Sequence, residues 1–487
     1  MPKELPSQSS YFYAKDIAKA ELLKCPQAVI AHGSNLSLTI GDLHGNSLLL
    51  LYALIFHGIV KIQTTQYERF SKLYYLQGKF LSQGQTPDRL LKDIKEMRRI
   101  LSEMQWSSKH FKHVRLIGDE FSDRGQNDYF TFLLLELMLT KQIQLSILVS
   151  NHGIEFLSHF ANEQGVLFDC IIPSEQTCSW FHFKALQDFL QLYEQNDLLI
   201  NLTAWVKNIY LPALKLMDYE LLSPQWCLML YSHAPNGIDK FLKLFKAFSI
   251  SSEFNNSFEM ASAIEQLNIQ FQKLFIKSFI NFLGLFKNSE SIFYQWIWQR
   301  GYENQNFKHP SIQESILMIH GHDNPKKQMK QLICLDSQWG KSQNVLEHQV
   351  RIFAVSRGHS LIMAHYQLLQ AKALELKDAK TPKYEILIQI LPLISQLEPM
   401  LAQKKPWDQV CIYLDKLLTI ILQSLPILIQ KRFDGIKISS LNFFNKPQYP
   451  SSYLYMLHLQ SDLLGIQAAI EKDYQWSQNY QKFKSIK

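Results

Sequence analysis

The chain has 487 residues, of which 47% are hydrophobic and 19% charged, which excludes a disordered protein and leaves room for two domains or one elaborated one. Its formal charge of +7 is modest for this length and no Lys/Arg block occurs, so nucleic acid is not an expected partner, while an anionic substrate would suit the balance. The six cysteines are scattered without a C-x-x-C pair, the pattern of reduced thiols in a cytosolic compartment.

Met1 to Ser10 is polar, so no cleaved signal peptide is expected. Leu36 to Ile40 is the first apolar run and reads as a buried strand that ends in Gly41-Asp42-Leu43-His44-Gly45. Ser47 to Phe56 then reads as a helix covering a sheet, stopped at Gly58. Residues 60 to 112 read as an insertion. In its second half, Thr86-Pro87 opens a helix running toward Gln105, with proline in the first turn and mixed charges on an exposed face.

A second strand, His113 to Ile117, delivers Gly118-Asp119-Glu120-Phe121-Ser122-Asp123-Arg124-Gly125, and a helix follows from about Asn127 to Thr140. A third, Leu145 to Val149, runs into Ser150-Asn151-His152. This alternation of strand, polar turn and helix is what a layered α/β sheet produces. Residues 165 to 224 read as mostly helical, and a strand at Trp226 to Tyr231 ends in Ser232-His233. Residues 238 to 290 again read as helical and lead to Trp296-Ile297-Trp298-Gln299-Arg300. Ser315 to Ile319 is a strand delivering His320-Gly321-His322, and two more strands are expected near residues 331 to 335 and 350 to 355.

From Ser360 onward strand signals vanish and apolar periodicity predicts packed helices, expected to form a C-terminal region over residues 358–487 that offers a docking surface for a protein partner. The most lipid-like run there, Leu417 to Gln430, has 14 residues, short of the roughly 20 a membrane span needs.

The strand ends thus carry Asp42, His44, Asp119, Asn151, His233 and His322. These are oxygen and imidazole donors with no thiolate, a set suited to Mn, with Fe or Zn as alternatives. Six such ligands serve two ions if one carboxylate bridges them, and a pair about 3.5–4 Å apart clamps a phosphate and acidifies water. A fixed four-residue pattern such as G-D-x-H-G arises by chance about once in 10^5 positions, so two ordered motifs are a strong signal.

G-D-x-H-G, G-D-x-x-D-R-G, a strand-end Asn-His, a later strand-end His and a G-H-x-x-P together resemble the calcineurin-like metallophosphoesterases, and within them the phosphoprotein-phosphatase branch. Asn324 stands where most other branches carry a second histidine, and Ser150 and Gly153 replace the outer residues of the usual G-N-H-E. The layout, including N-D-Y-F after D-R-G, is also similar to the Wip-type effector phosphatases that intracellular bacteria inject into host cells.

The resemblance implies an α/β fold: a calcineurin-like β-sandwich core over residues 36–357, flanked by helices, with helical insertions near 60–112, 165–224 and 238–290, after an N-terminal segment 1–35. It implies that Asp42 and His44 hold one divalent metal ion, that Asp119 bridges, and that Asn151, His233 and His322 hold a second. It further implies that His152 protonates the leaving oxygen, oriented by Asp123, while Arg124 and, as a softer match, Arg300 bind phosphate. The expected activity is hydrolysis of phosphomonoesters on proteins by direct attack of a metal-held hydroxide, in a cytoplasmic protein or an effector delivered into a host cell. The rival readings are a dinucleoside polyphosphate hydrolase of the same superfamily and a catalytically idle interaction protein. Histidines outside the motifs, such as His57, His113 and His320, read as structural.

Overall fold

The computed structural model describes residues 12–29, 36–83, 87–107, 109–121, 123, 128–163, 201–222, 227–254, 256–277, 279–301, 307–309, 312, 316–322, 332–336 and 349–356. All lie in the first of two units into which the chain divides, Met1–Gly358. The expected helical region 358–487, and the whole of the segment 165–200, fall outside the described residues.

In chain order the strands are Phe12–Ala18 (β1), Leu36–Ile40 (β2), Val60–Lys61 (β3), Gln105–Trp106 (β4), Phe111–Leu116 (β5), Gln144–Leu148 (β6), Leu214–Lys215 (β7), Asp218–Leu222 (β8), Cys227–Ser232 (β9), Ile316–His320 (β10), Leu332–Cys334 (β11) and Gln349–Ser356 (β12). The helices that frame the motifs are Ser47–Phe56 (α1), Thr64–Gln83 (α2), Pro87–Glu103 (α3), Asp128–Thr140 (α4) and Asn151–Glu163 (α5).

Two larger sheets result, one ordered β1-β12-β2-β5-β6-β7 and the other β11-β10-β9-β8. In the first, β2, β5 and β6 run parallel. In the second, β9, β10 and β11 do so. Parallel strands need helical crossovers, which is why α1 and α4 follow β2 and β5; α1 is buried along its whole length and α4 over most of it.

The sheets share a core of Ile117, Leu148, Met229, Tyr231, Leu317, Ile319 and Leu335. A charged network joins them as well. Arg115 of β5, fully buried, donates from Nε to Asp218 at 2.7 Å and from Nη2 to Glu220 at 3.1 Å. The same guanidinium reaches Thr39 at 3.0 Å and lies 3.8 Å over the Tyr231 ring. A buried guanidinium survives only when paired in this way, and removing one partner of such a pair costs about 3–5 kcal/mol.

That network explains a departure from the sequence reading. Residues 214–222 were expected to be helical but form β7 and β8. The side chains of β8 that reach across to the other sheet are Asp218 and Glu220, so the strand carries charge where a hydrophobic alternation would have announced it. Phe12–Ala18 likewise joins the first sheet as an edge strand, antiparallel to β12. The insertion at 60–112 holds two helices: α2, whose Tyr67, Phe70, Leu73 and Tyr74 are buried, and α3 after it.

Candidate metal centre

Six parallel strands hand over to the site at their carboxyl ends. β2 leads to Asp42 and His44, β5 to Asp119, β6 to Asn151, β9 to His233, β10 to His322 and β11 to Asp336. The loops are tied together by backbone. Leu43 N–H donates to Gly118 O at 3.3 Å, Gly45 N–H to Asp119 O at 3.0 Å, and Gly321 N–H to His233 O at 2.8 Å. Leu335 N–H donates to His320 O at 2.7 Å.

Local strain marks the same place. His44, Asp119 and His322 have φ of 49°, 54° and 62°, three of the five non-glycine residues with positive φ among those described. Such conformations are uncommon, cost energy and cluster at ligand clamps. Gly118 (φ 137°) and Gly321 allow the close approach: a Cβ would lie 2.7 Å from His233 Nδ1 at the first and 1.8 Å from Asp42 Oδ1 at the second.

Ser150, unexpected at its motif position, has a clear task. Its Oγ accepts from Gly153 N–H at 3.0 Å, capping α5, and from Asp119 N–H at 2.9 Å, which pins the neighbouring loop. Gly153 is forced by its surroundings, since a Cβ there would sit 2.9 Å from Tyr210 Oη and 3.2 Å from Glu120 Oε1. Phe121, in the middle of the second motif, stacks on Phe132 at 4.4 Å and packs against Phe156 and Trp205.

The ligand atoms cluster in three groups, each within 4.8 Å: Asp42, Asp119 and His233; Asp42, His44 and Asp336; His44, Asp119 and Asp123. Asp119 Oδ1 lies 3.7 Å from His233 Nε2, and its Oδ2 3.8 Å from His44 Nδ1. His322 completes the cluster, its ring 5.0 Å from that of His233 and its backbone N–H 2.8 Å from Asp42 Oδ2. Asp42 Oδ1, Asp119 Oδ1 and His322 Nε2 are buried and make no hydrogen bond. Buried polar atoms are normally satisfied, so these orphaned donors fit divalent cations.

The electrostatics point the same way. Burial, with Asp336 and Asp119 alongside, raises the Asp42 carboxyl well above its ordinary value. For Asp119, burial also opposes ionisation, but His233 and His152 outweigh it and its pKa is lowered. Burial pushes His233 and His322 down, keeping both imidazoles neutral as metal ligation requires.

His152 is partly exposed, unlike the ligands. Burial acts against its charge, yet Asp119, Asp123 and Glu155 raise its pKa to about 9. Its expected orienting partner, Asp123, is shared with His44. Asp123 Oδ2 sits 2.5 Å from His44 Nδ1 and 3.8 Å from His152 Nε2, whereas Glu155 Oε2 is 3.2 Å from His152 Nδ1. Glu155 was not singled out in the sequence, although its place one helical turn after His152 was the available signal.

Arg124 lies outside the described residues. Arg300 is exposed at the end of the helix Ile292–Trp298, and its charge acts on His322. Trp298 meets the His322 ring edge-on at 5.8 Å and stacks with Tyr294, whereas Trp296 is core and donates to Leu216 O. Sequence reasoning also missed Asp336, for Cys334-Leu335-Asp336 carries no recognisable motif.

Residues 113–341 match the family described as WipA-like, phosphatase domain. Among solved structures, the chain is similar to the crystal structure of the phosphatase domain from the Legionella effector WipB, with 23% identity and a TM-score of 0.50, covering 60% of this chain and 100% of that one. That likeness carries the fold, a mixed α/β arrangement. No curated protein matches the chain. Among the described residues, no helix is long and apolar enough to cross a membrane.

Proposed function

We propose that the chain carries a Wip-type phosphatase domain and is a dinuclear metal-dependent phosphatase hydrolysing phosphomonoesters on phosphoserine, phosphothreonine or phosphotyrosine of a protein substrate. The single observation that carries this reading is the set of buried ligand atoms without hydrogen bonds, Asp42 Oδ1, Asp119 Oδ1 and His322 Nε2, gathered at the strand ends with His233 and His44. The two-sheet core supports a calcineurin-like sandwich spanning about residues 36–357.

In this reading Asp42 and His44 would hold one divalent cation, Asn151, His233 and His322 would hold the other, and Asp119 would be shared by both. Manganese suits the oxygen-and-imidazole set, as would iron or zinc. When bound, the ions would neutralise phosphoryl charge and acidify a water. Phosphate monoesters otherwise hydrolyse so slowly that enhancements near 10^21 are needed. His152, held protonated by Asp119, Asp123 and Glu155, gives its proton to the leaving oxygen. Arg124 and Arg300 grip the phosphoryl oxygens with planar forks. Trp298 lines the cleft beside His322. By analogy with WipB, the protein acts as a bacterial effector inside a host cell.

The test is metal analysis of the purified chain joined to a phosphopeptide panel that includes diadenosine tetraphosphate. Two divalent ions per chain and turnover of phosphopeptides are expected. Preference for the dinucleotide, or no bound metal and no turnover, would overturn the proposal in favour of a polyphosphate hydrolase or an idle binding protein.

A further inference from the structure

We infer that Asp336 is a direct ligand of the first cation, beside Asp42 and His44. The inference rests on the two-metal reading and adds to its ligand set a carboxylate that no motif supplies.

Asp336 is brought there by construction. It follows β11, which lies parallel to β10 with Cys334 paired to His320, so the carboxyl ends of the two strands are level. Leu335 is locked to His320 by its N–H and packs so closely on Gly41 that a Cβ there would lie 1.9 Å from Leu335 O. The residue after Leu335 therefore falls beside the residue after Gly41, which is Asp42.

The geometry is that of co-ligands. Asp336 Oδ1 is 3.5 Å from His44 Nε2, longer than a good hydrogen bond. Two donors each about 2.1 Å from one ion stand roughly 3.0–3.4 Å apart at right or tetrahedral angles. His44 turns its other nitrogen to Asp123, and Nε2 faces Asp336. The Asp336 side chain is fully buried, and it lies within 4.8 Å of both the His44 and Asp42 donors. Asp42 Oδ1 is itself buried without a hydrogen bond. Three aspartates, Asp42, Asp119 and Asp336, cannot share this dry space as anions without a cation among them.

The full chain, stripped of metal, is titrated with Mn2+ by calorimetry as wild type and as Asp336→Asn, and wild-type crystals are soaked in Zn2+ for anomalous diffraction. The wild type is expected to take two ions. Asp336→Asn is expected to keep one at unchanged affinity and bind the other at least tenfold more weakly. The zinc peak nearest Asp42 should lie about 2.0–2.2 Å from an Asp336 oxygen. In chelator Asp336→Asn should melt at or above the wild type, since it removes a like charge; should the variant not fold, the zinc position decides alone. A peak held by Asp42 and His44 but beyond 3 Å from Asp336 (an order-of-magnitude cut-off, about 1 Å past coordination distance) overturns this inference and leaves the two-metal reading standing. Wild type binding no ion overturns both.

Discussion

His233 Nε2 and Asn151 Oδ1 face each other at 2.8 Å, while His233 Nδ1 lies 3.2 Å from Ile117 O. Burial keeps this imidazole neutral, so it has one proton for two oxygen acceptors. With Nδ1–H donated to Ile117, a lone pair on Nε2 meets a lone pair on Asn151. A cation held by both would turn that clash into ligation. Chelation should therefore lower the melting temperature, and Mn2+ should restore it. A ligand at 100 times its Kd adds about 2.7 kcal/mol to the native state. Melting curves that ignore both chelator and Mn2+ would count against the pairing.

For His152→Ala, turnover of alkyl phosphates should fall by about 10^2–10^4, the usual contribution of a placed acid, and turnover of aryl phosphates by much less, because a phenolate leaves without a proton. The wild-type rate on alkyl substrates should also decline as pH rises, with an apparent pKa no higher than about 9. Cations on Asp119 would draw it lower. Equal losses on both substrates, or an unchanged alkaline limb in the variant, would remove His152 from this role.

Glu120 offers a pH test independent of turnover. Burial raises its pKa to about 7, against the hydrogen bond from Tyr210 Oη. A carboxyl raised in the folded state stabilises fully below its unfolded pKa, near 4.5, and that contribution is lost as pH rises through about 7. Metal-free wild type should thus lose up to about 3 kcal/mol between those pH values, and Glu120→Gln should not. Thermal melts of both proteins at pH 5 and pH 8 decide it: parallel pH profiles would refute the assignment.

Gly321→Ala should weaken metal binding sharply, because the added methyl would occupy the space of Asp42 Oδ1. A bound-metal assay on the folded variant checks this. Unchanged metal content would mean that Asp42 can relocate without loss.

How much of this was legible beforehand varied with what each residue packs against. β2, β5, β6, β9 and β10 showed as apolar runs because both faces of a parallel strand are buried, and the motif residues showed because they follow those runs directly. α1 was legible from end to end, from Asn46, whose side chain caps it, to Gly58 with φ 67°. β8 was hidden because Arg115 selects acids for its inner face. α2 was expected only as part of a helical insertion near 60–112, and the spacing of Tyr67, Phe70 and Tyr74 marks the face it buries. Asp336 and the Asp123–His44 contact were beyond reach, since both depend on which loops the two sheets bring face to face.

The most direct measurement is the electron paramagnetic resonance spectrum of the chain reconstituted with Mn2+, compared with that of Asp119→Asn. An Asp119 carboxylate joining two ions about 3.5–4 Å apart should give an exchange-coupled pair in the wild type, replaced in the variant by isolated Mn2+ with no phosphatase turnover. Uncoupled Mn2+ in the wild type, or a coupled pair that survives loss of the carboxylate, would contradict the account.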